Sequence, residues 1–252
     1  MTVQVYFIGA GPGDPGLLTI KGREIIRRAD VIIYADSLIN PEILKFARAS
    51  AEIHESASLS LEQVLGLIED AVGQGKLVAR LQSGDPSIYG AIQEQMAALR
   101  EKGIRYEVVP GVSSLFAAAA SLGVELTVPE VSQTVIVTRM EGKTPVPALE
   151  NLKSLASHQS TMAIFLSVSL LDRVVAALIE GGYPAETPAA VVYRASWQDE
   201  KVVRASLQDL AESVAELGIK RQALILVGNC LNPPGERTRS RLYDKESGCE
   251  VG

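Results

Sequence analysis

Three short loops hold most of the residues that could do chemistry in this chain. GAGPGDPG at 9–16, SGDPSIYG at 83–90 and PGVSS at 110–114 each follow an apolar run. Glycine lets the backbone approach a bound molecule, Asp before Pro favours a turn, and the start of a following helix leaves free N–H groups. Such loops can let a polar ligand approach the main chain. An ordinary strand-to-helix connection uses the same residue types. In a parallel sheet, however, three such loops gather on one edge. The first loop also matches the three-glycine dinucleotide fingerprint through Gly11, Gly13 and Gly16, and Asp36 stands about 20 residues further on. A nicotinamide-dependent oxidoreductase is therefore one reading. Against it, Pro12 and Pro15 remove N–H groups from the loop that would hold a pyrophosphate, and the helical pattern starts late.

The elements that must position these loops follow from periodicity. Apolar runs at 3–8, 31–34, 77–81 and 106–109 predict buried parallel strands, with a short edge strand at 52–54. Helical spacing predicts helices over 20–28, 60–72 capped by Ser60, 91–102 and 113–121, with a shorter helix at 41–47. Past Gly123 and Pro129 the rhythm changes. Strands are expected at 134–138, 163–166, 190–193, 202–204 and 223–227, and helices at 170–179 and 207–217. The short spacing between 190–193 and 202–204 predicts antiparallel pairing, hence a mixed sheet. The expected organisation is an α/β protein: a mostly parallel N-terminal domain over 1–125, a mixed C-terminal domain over 126–228, and a polar tail at 229–252.

The 252 residues are 47% hydrophobic and 21% charged, enough for a sizeable core, and the net charge is −6. An acidic chain argues against a nucleic-acid partner, though a local basic patch remains open. Cys230 and Cys249, with His54 and His158, show no metal-ligand spacing, so no metal site is expected. The N-terminus enters a strand pattern at once, and no run approaches about 18 apolar residues, so neither export nor a membrane is expected. A reducing, cytoplasmic setting is the expectation.

The opening GAGPGDPGLLT, the central SGDPSIYG and the PGVSS loop resemble the tetrapyrrole methylase family, over about residues 3–228. VIIYADSLI, VSQTVIVTR and ALILVG are similar to the branch that methylates carbon 11 of precorrin-4 or cobalt-precorrin-4 in cobalamin (vitamin B12) synthesis. The resemblance implies two α/β domains with the active site in the cleft between them, S-adenosyl-L-methionine as methyl donor and S-adenosyl-L-homocysteine as product. It also implies a homodimer acting on a small-molecule tetrapyrrole. Carried over by motif, Pro12, Ser83, Gly84, Asp85, Ile88, Ser113 and Ser114 would meet the cofactor from the first half, and Leu166, Ala195 and Ala223 from the second.

A many-carboxylate macrocycle needs a locally basic trough, for which Arg80, Arg139 and Arg194 are the candidates, with Ser37 and Tyr89 as further polar lining. Asp36 is the candidate general base, because the ring loses a proton when carbon 11 is alkylated. Blander readings stay open: Asp85 as a turn-former, each arginine as a surface ion pair, Trp197 in the core. Rival functions are methyl transfer to uroporphyrinogen III or another precorrin position, the oxidoreductase, and a catalytically silent binding module.

Overall fold

A computed structural model describes residues 3–142 and 144–232. One compact unit gathers the chain up to Ala117 together with Arg194–Asp199; the other runs from Ala118 to Tyr193 and resumes at Glu200. A boundary drawn along the sequence, such as 125/126, has no way to express that exchange. Most of the polar tail expected at 229–252, with Cys249, lies outside the described residues.

In the first unit, β1 (Val5–Gly9), β2 (Val31–Tyr34), β3 (Glu52–Glu55), β4 (Val78–Gln82) and β5 (Tyr106–Val109) form one parallel sheet in the order β3-β2-β4-β1-β5. Every residue of β2 and β4 is buried, as expected of central strands with cover on both faces. The period of two divides that cover. Ile8, Ile32, Ala79 and Leu81 pack with Ile25 and Ile26 of α1 (Ile20–Arg28). Val5, Phe7, Val31, Ile33 and Val78 pack on the opposite face with Val64 and Ile68 of α2 (Leu61–Gly73) and Leu99 of α3 (Gln93–Glu101). Local chemistry sets where these helices begin. Thr19 Oγ1 accepts from Gly22 N at the start of α1, and Ser60 with Gln63 forms a reciprocal capping box on α2. The helix α4 (Ser114–Leu122) follows β5 and runs into the second unit.

The second unit has a mixed sheet in the order β6-β7-β10-β8-β9, from β6 (Val135–Arg139), β7 (Thr161–Phe165), β8 (Pro188–Tyr193), β9 (Lys201–Ser206) and β10 (Ala223–Val227). Only β6 and β7 pair in parallel; β8 and β9 are antiparallel, as their spacing predicts. One cluster joins Met162, Ile164, Val191 and Ile225 to α5 (Leu152–Ala156), α6 (Leu171–Glu180) and α7 (Leu210–Ala215). The short α5 has no counterpart in the sequence-based expectation, and α7 is shorter than the 207–217 pattern. Ser206 Oγ donates to Asp209 Oδ2 and holds residues 206–209 in a turn before that helix.

Candidate functional site

The strands β4, β1 and β5 are adjacent, so the three glycine loops that follow them stand side by side at the C-terminal edge of the parallel sheet. Their backbones touch. Gly84 N donates to Gly11 O (2.9 Å) and Gly11 N to Gly84 O (3.2 Å), a single bridge between the first and second loops. A Cβ at Gly111 would lie 2.2 Å from Gly84 O and 2.6 Å from Gly9 Cα, and one at Gly9 would lie 2.4 Å from Gly111 Cα. No side chain fits where the three loops meet. Gly11 and Gly84 also hold φ of 78° and 64°, which glycine adopts freely.

Asp85 ties the second loop to the third. Its Oδ2 accepts from Gly111 N (2.8 Å), while Oδ1 accepts from Ser87 N (2.8 Å) and Ser87 Oγ. Burial pushes this carboxyl up, but the bonds from Ser87 and Gly111 outweigh it and hold its pKa below the ordinary 3.8. Asp85 is thus ionised and engaged on both oxygens by the loops themselves.

The first loop is held residue by residue. Trp197 Nε1 donates to Pro12 O (2.9 Å), Asn40 Nδ2 to Gly13 O (2.9 Å), and Asp14 N to Ser196 Oγ (3.0 Å). The fingerprint glycines do not lead into a helix. Pro15–Leu17 is a single 3-10 turn capped by Asp14, whose Oδ1 takes Gly16 N (2.7 Å), and α1 starts only at Ile20. The N–H that a pyrophosphate would need is occupied by a carboxylate.

The structure brings together Pro12, Ser83, Gly84, Asp85, Ile88, Ser113, Ser114 and Ala195 in the first unit. Ser83 and Ile88 are exposed, whereas Pro12, Gly84, Ser113 and Ala195 are buried. Tyr89, at φ 54°, is exposed next to Ile88. Leu166, Ala223 and Arg139 belong to the second unit. Leu166 directly follows the end of β7, and Ala223, the first residue of β10, pairs with Tyr193 of β8. Leu166 is 69% exposed at φ 54°, so an apolar side chain points outward from a strained backbone.

The candidate cations differ in kind. Arg80 lies within β4 and is buried; it donates to Ser56 Oγ (2.8 Å), Gln95 Oε1 (3.3 Å) and Ile33 O (3.4 Å). Desolvation pulls its pKa down to about 10, which leaves it charged at neutral pH. In this position Arg80 braces the ends of β2 and β3 from inside rather than facing a trough. Arg139 turns onto its own loop, donating to Thr144 O (2.9 Å) and Pro145 O (2.7 Å). Arg194 lies over the Trp197 ring at 4.8 Å and pairs with Asp199 (2.7 Å).

Asp36 and Ser37 are exposed on the turn after β2, and Asp36 Oδ1 accepts from Ala57 N (3.2 Å). Beside them Tyr34 donates to Glu55 (3.2 Å); burial first, then Glu55, then the Asp36 charge raise its pKa, so the phenol stays protonated. Gln82, just before Ser83, buries an Nε2 that meets no acceptor among the described residues. No group of three metal-ligating side chains occurs among the described residues, and no helix there is long and apolar enough to cross a membrane. Asn40, Ser196 and the Asp85 bond to Gly111 were not singled out from sequence, and Trp197, for which a core position is one expectation, is half-buried and bonds to the first loop.

Residues 4–211 match the model of the tetrapyrrole (corrin/porphyrin) methylases. The chain is 60% identical over 242 residues to the cobalt-precorrin-4 C(11)-methyltransferase of Methanocaldococcus jannaschii, spanning 96% of this chain and 93% of that protein. Its fold superposes on the X-ray structure of the cobalamin biosynthetic enzyme cobalt precorrin-4 methyltransferase, CbiF, with a TM-score of 0.89 and 47% identity, covering 91% and 96% of the two chains. The uroporphyrin-III C-methyltransferase of Thermus thermophilus, solved with S-adenyl homocysteine, gives a TM-score of 0.76 at 28% identity over 91% and 93%. With the family model covering most of the chain and the two-sheet architecture shared, this protein belongs to the tetrapyrrole methylase family.

Proposed function

We propose that the chain transfers a methyl group from S-adenosylmethionine to carbon 11 of precorrin-4 or cobalt-precorrin-4, giving the corresponding precorrin-5 in cobalamin synthesis, as a cytoplasmic homodimer. The observation that carries the methyl-donor assignment is the charge on the three loops. Their only ionisable side chains apart from Tyr89 are Asp14 and Asp85, both carboxylates. A pyrophosphate would meet like charge there and find Gly16 N already taken, whereas a sulfonium is a cation. Exposed Ser83 and Ile88 also fit a partly apolar nucleoside, and Leu166 and Ala223 are proposed as further contacts by motif alone. Pro12, Ser113, Ser114 and Ala195 complete the contacts expected by motif.

When bound, S-adenosylmethionine supplies an activated methyl group that an in-line carbon nucleophile can take. The protein's part is mostly positioning and exclusion of water. The interlocked glycine backbones make the first-unit loops a preformed support, with Asp85 holding two of them in register. Because the positive charge of the donor passes to the ring with the methyl group, the ring returns to its former charge by losing a proton. Asp36, exposed on the turn after β2, is the group proposed to receive it. Arg139 and Arg194 are proposed to meet the macrocycle's carboxylates, with Ser37 and Tyr89 as polar lining.

The test is calorimetric titration with S-adenosylhomocysteine and, separately, with nicotinamide dinucleotides, followed by turnover of precorrin-4 and its cobalt form with isotopically labelled methyl donor. One-site binding of the sulfur nucleoside and label at carbon 11 are expected. Dinucleotide binding without nucleoside binding would sink the assignment.

A further inference from the structure

The segment Arg194–Asp199 lies between β8 and β9 in the chain but groups with the first unit. Its backbone is costly: Arg194 and Ser196 hold φ of 47° and 68°, a region L-residues rarely occupy. Such a conformation persists only where its surroundings over-determine it, and the contacts identify what does so. Trp197 and Ser196 bond to Pro12 and Asp14 on either side of Gly13, while Arg194 covers the indole and is itself held by Asp199. Gly13 is matched to the indole. A Cβ there would lie 2.1 Å from Trp197 Cδ1 and 2.3 Å from Nε1, inside a rigid ring that cannot swing away like a flexible chain end.

We propose that Trp197 is a positioning residue for the cofactor site. It sets Pro12 by a hydrogen bond to its carbonyl and sets the loop height by filling the space above Gly13. The same bond anchors the segment that presents Ala195, so one side chain aligns a cofactor contact from the first loop with one from the β8–β9 connection. The inference rests on the reading that Pro12 and Ala195 touch S-adenosylmethionine. It goes further by assigning their alignment to a residue that needs no contact with the ligand.

Trp197 is the only tryptophan, so its emission reports this joint alone. Titration of the wild-type protein with S-adenosylhomocysteine is expected to change that emission saturably, with the midpoint matching the calorimetric Kd. Trp197→Phe keeps an aromatic ring but loses the N–H. It is expected to weaken nucleoside binding about fivefold, the scale of one lost hydrogen bond, with thermal stability shifted by no more than about 4 °C. Gly13→Ala is expected to cost more than tenfold on its own. In a Trp197→Ala background it should cost much less, because the clashing ring is gone; this non-additivity is the signature of a contact pair. Wild-type affinity in Trp197→Phe would overturn the proposal, as would strict additivity of Gly13→Ala and Trp197→Ala. Should Gly13→Ala fail to fold, the Trp197→Phe affinity decides. If the wild-type protein binds no S-adenosylhomocysteine, the underlying reading falls and this inference falls with it; binding that is intact in wild type and unchanged in Trp197→Phe removes this inference alone.

Discussion

At the edge of the parallel sheet the candidate cofactor contacts are main chain, packed so closely at Gly9 and Gly111 that no side chain fits, with Gly84 held at a positive φ between them. At the mixed sheet they are single side chains, with Leu166 pointing outward from a left-handed backbone just past β7 and Ala223 at the start of β10. The first arrangement is rigid because its geometry is shared among three strands. The second depends on individual residues, which can change without disturbing the sheet beneath. A substitution in the first region should therefore move stability and binding together, and a substitution in the second should separate them.

Gly111→Ala breaks the comparison most severely. The added methyl overlaps backbone on two neighbouring loops, and neither can retreat without moving its strand. A loss of about 3 kcal/mol in stability is expected, at the upper end for overpacking, together with loss of nucleoside binding, measured by chemical denaturation and calorimetry. Gly66→Ala, in α2 with open space around it, should act in the opposite sense and stabilise by about 0.5–1 kcal/mol.

Arg80→Ala is next. It removes a buried guanidinium and strands Ser56, Gln95 and the Ile33 carbonyl, for an expected cost of about 2 kcal/mol. If the folded variant loses stability but keeps its substrate KM, Arg80 is an internal brace. A KM rise out of proportion to the stability loss would return it to the trough.

How far each region was legible from sequence follows the same division. Glycine and proline announce the loops of the first unit because the backbone geometry there admits little else, and alternation of apolar residues announces the strands that bring them together. Arg80 was misleading in isolation: an arginine in an apolar strand carries no mark of which way it faces, and the period of two sets it on the face covered by α2 and α3. Asn40 and the contacts of Trp197 were not legible because their partners, Gly13 and Pro12, are distant in sequence and are met through main-chain carbonyls, which leave no compositional trace. The assignment of Arg194–Asp199 to the first unit is a long-range fact of the same sort.

Asp85→Asn sharpens the comparison within the first region. The amide preserves shape but loses the charge that strengthens the bonds from Gly111 and Ser87, and about a tenfold loss of nucleoside affinity is expected. The pH dependence has a definite sign. Because the folded pKa of Asp85 lies below 3.8, its contribution is present above that value and disappears as pH falls through the folded pKa. The gap in thermal stability between wild type and Asp85→Asn should therefore narrow as pH is lowered below 3.8. A gap that is constant with pH would mean the carboxylate charge contributes nothing to the clasp.

Leu166→Gly carries the smallest effect and the clearest separation. The side chain is largely exposed, so removing it costs little burial, while glycine relieves a left-handed conformation that costs an L-residue roughly 1–2 kcal/mol. Some of that gain is offset by the greater freedom of glycine in the unfolded chain. Stability should hold or rise by up to about 1 kcal/mol, read from the denaturation midpoint. Affinity for S-adenosylhomocysteine should fall, because the variant lacks the apolar surface proposed to meet the nucleoside. A residue that strains its backbone to expose an apolar side chain contributes nothing to folding by doing so. If Leu166→Gly is more stable and binds the nucleoside as well as wild type, the strain at the end of β7 serves something other than this ligand.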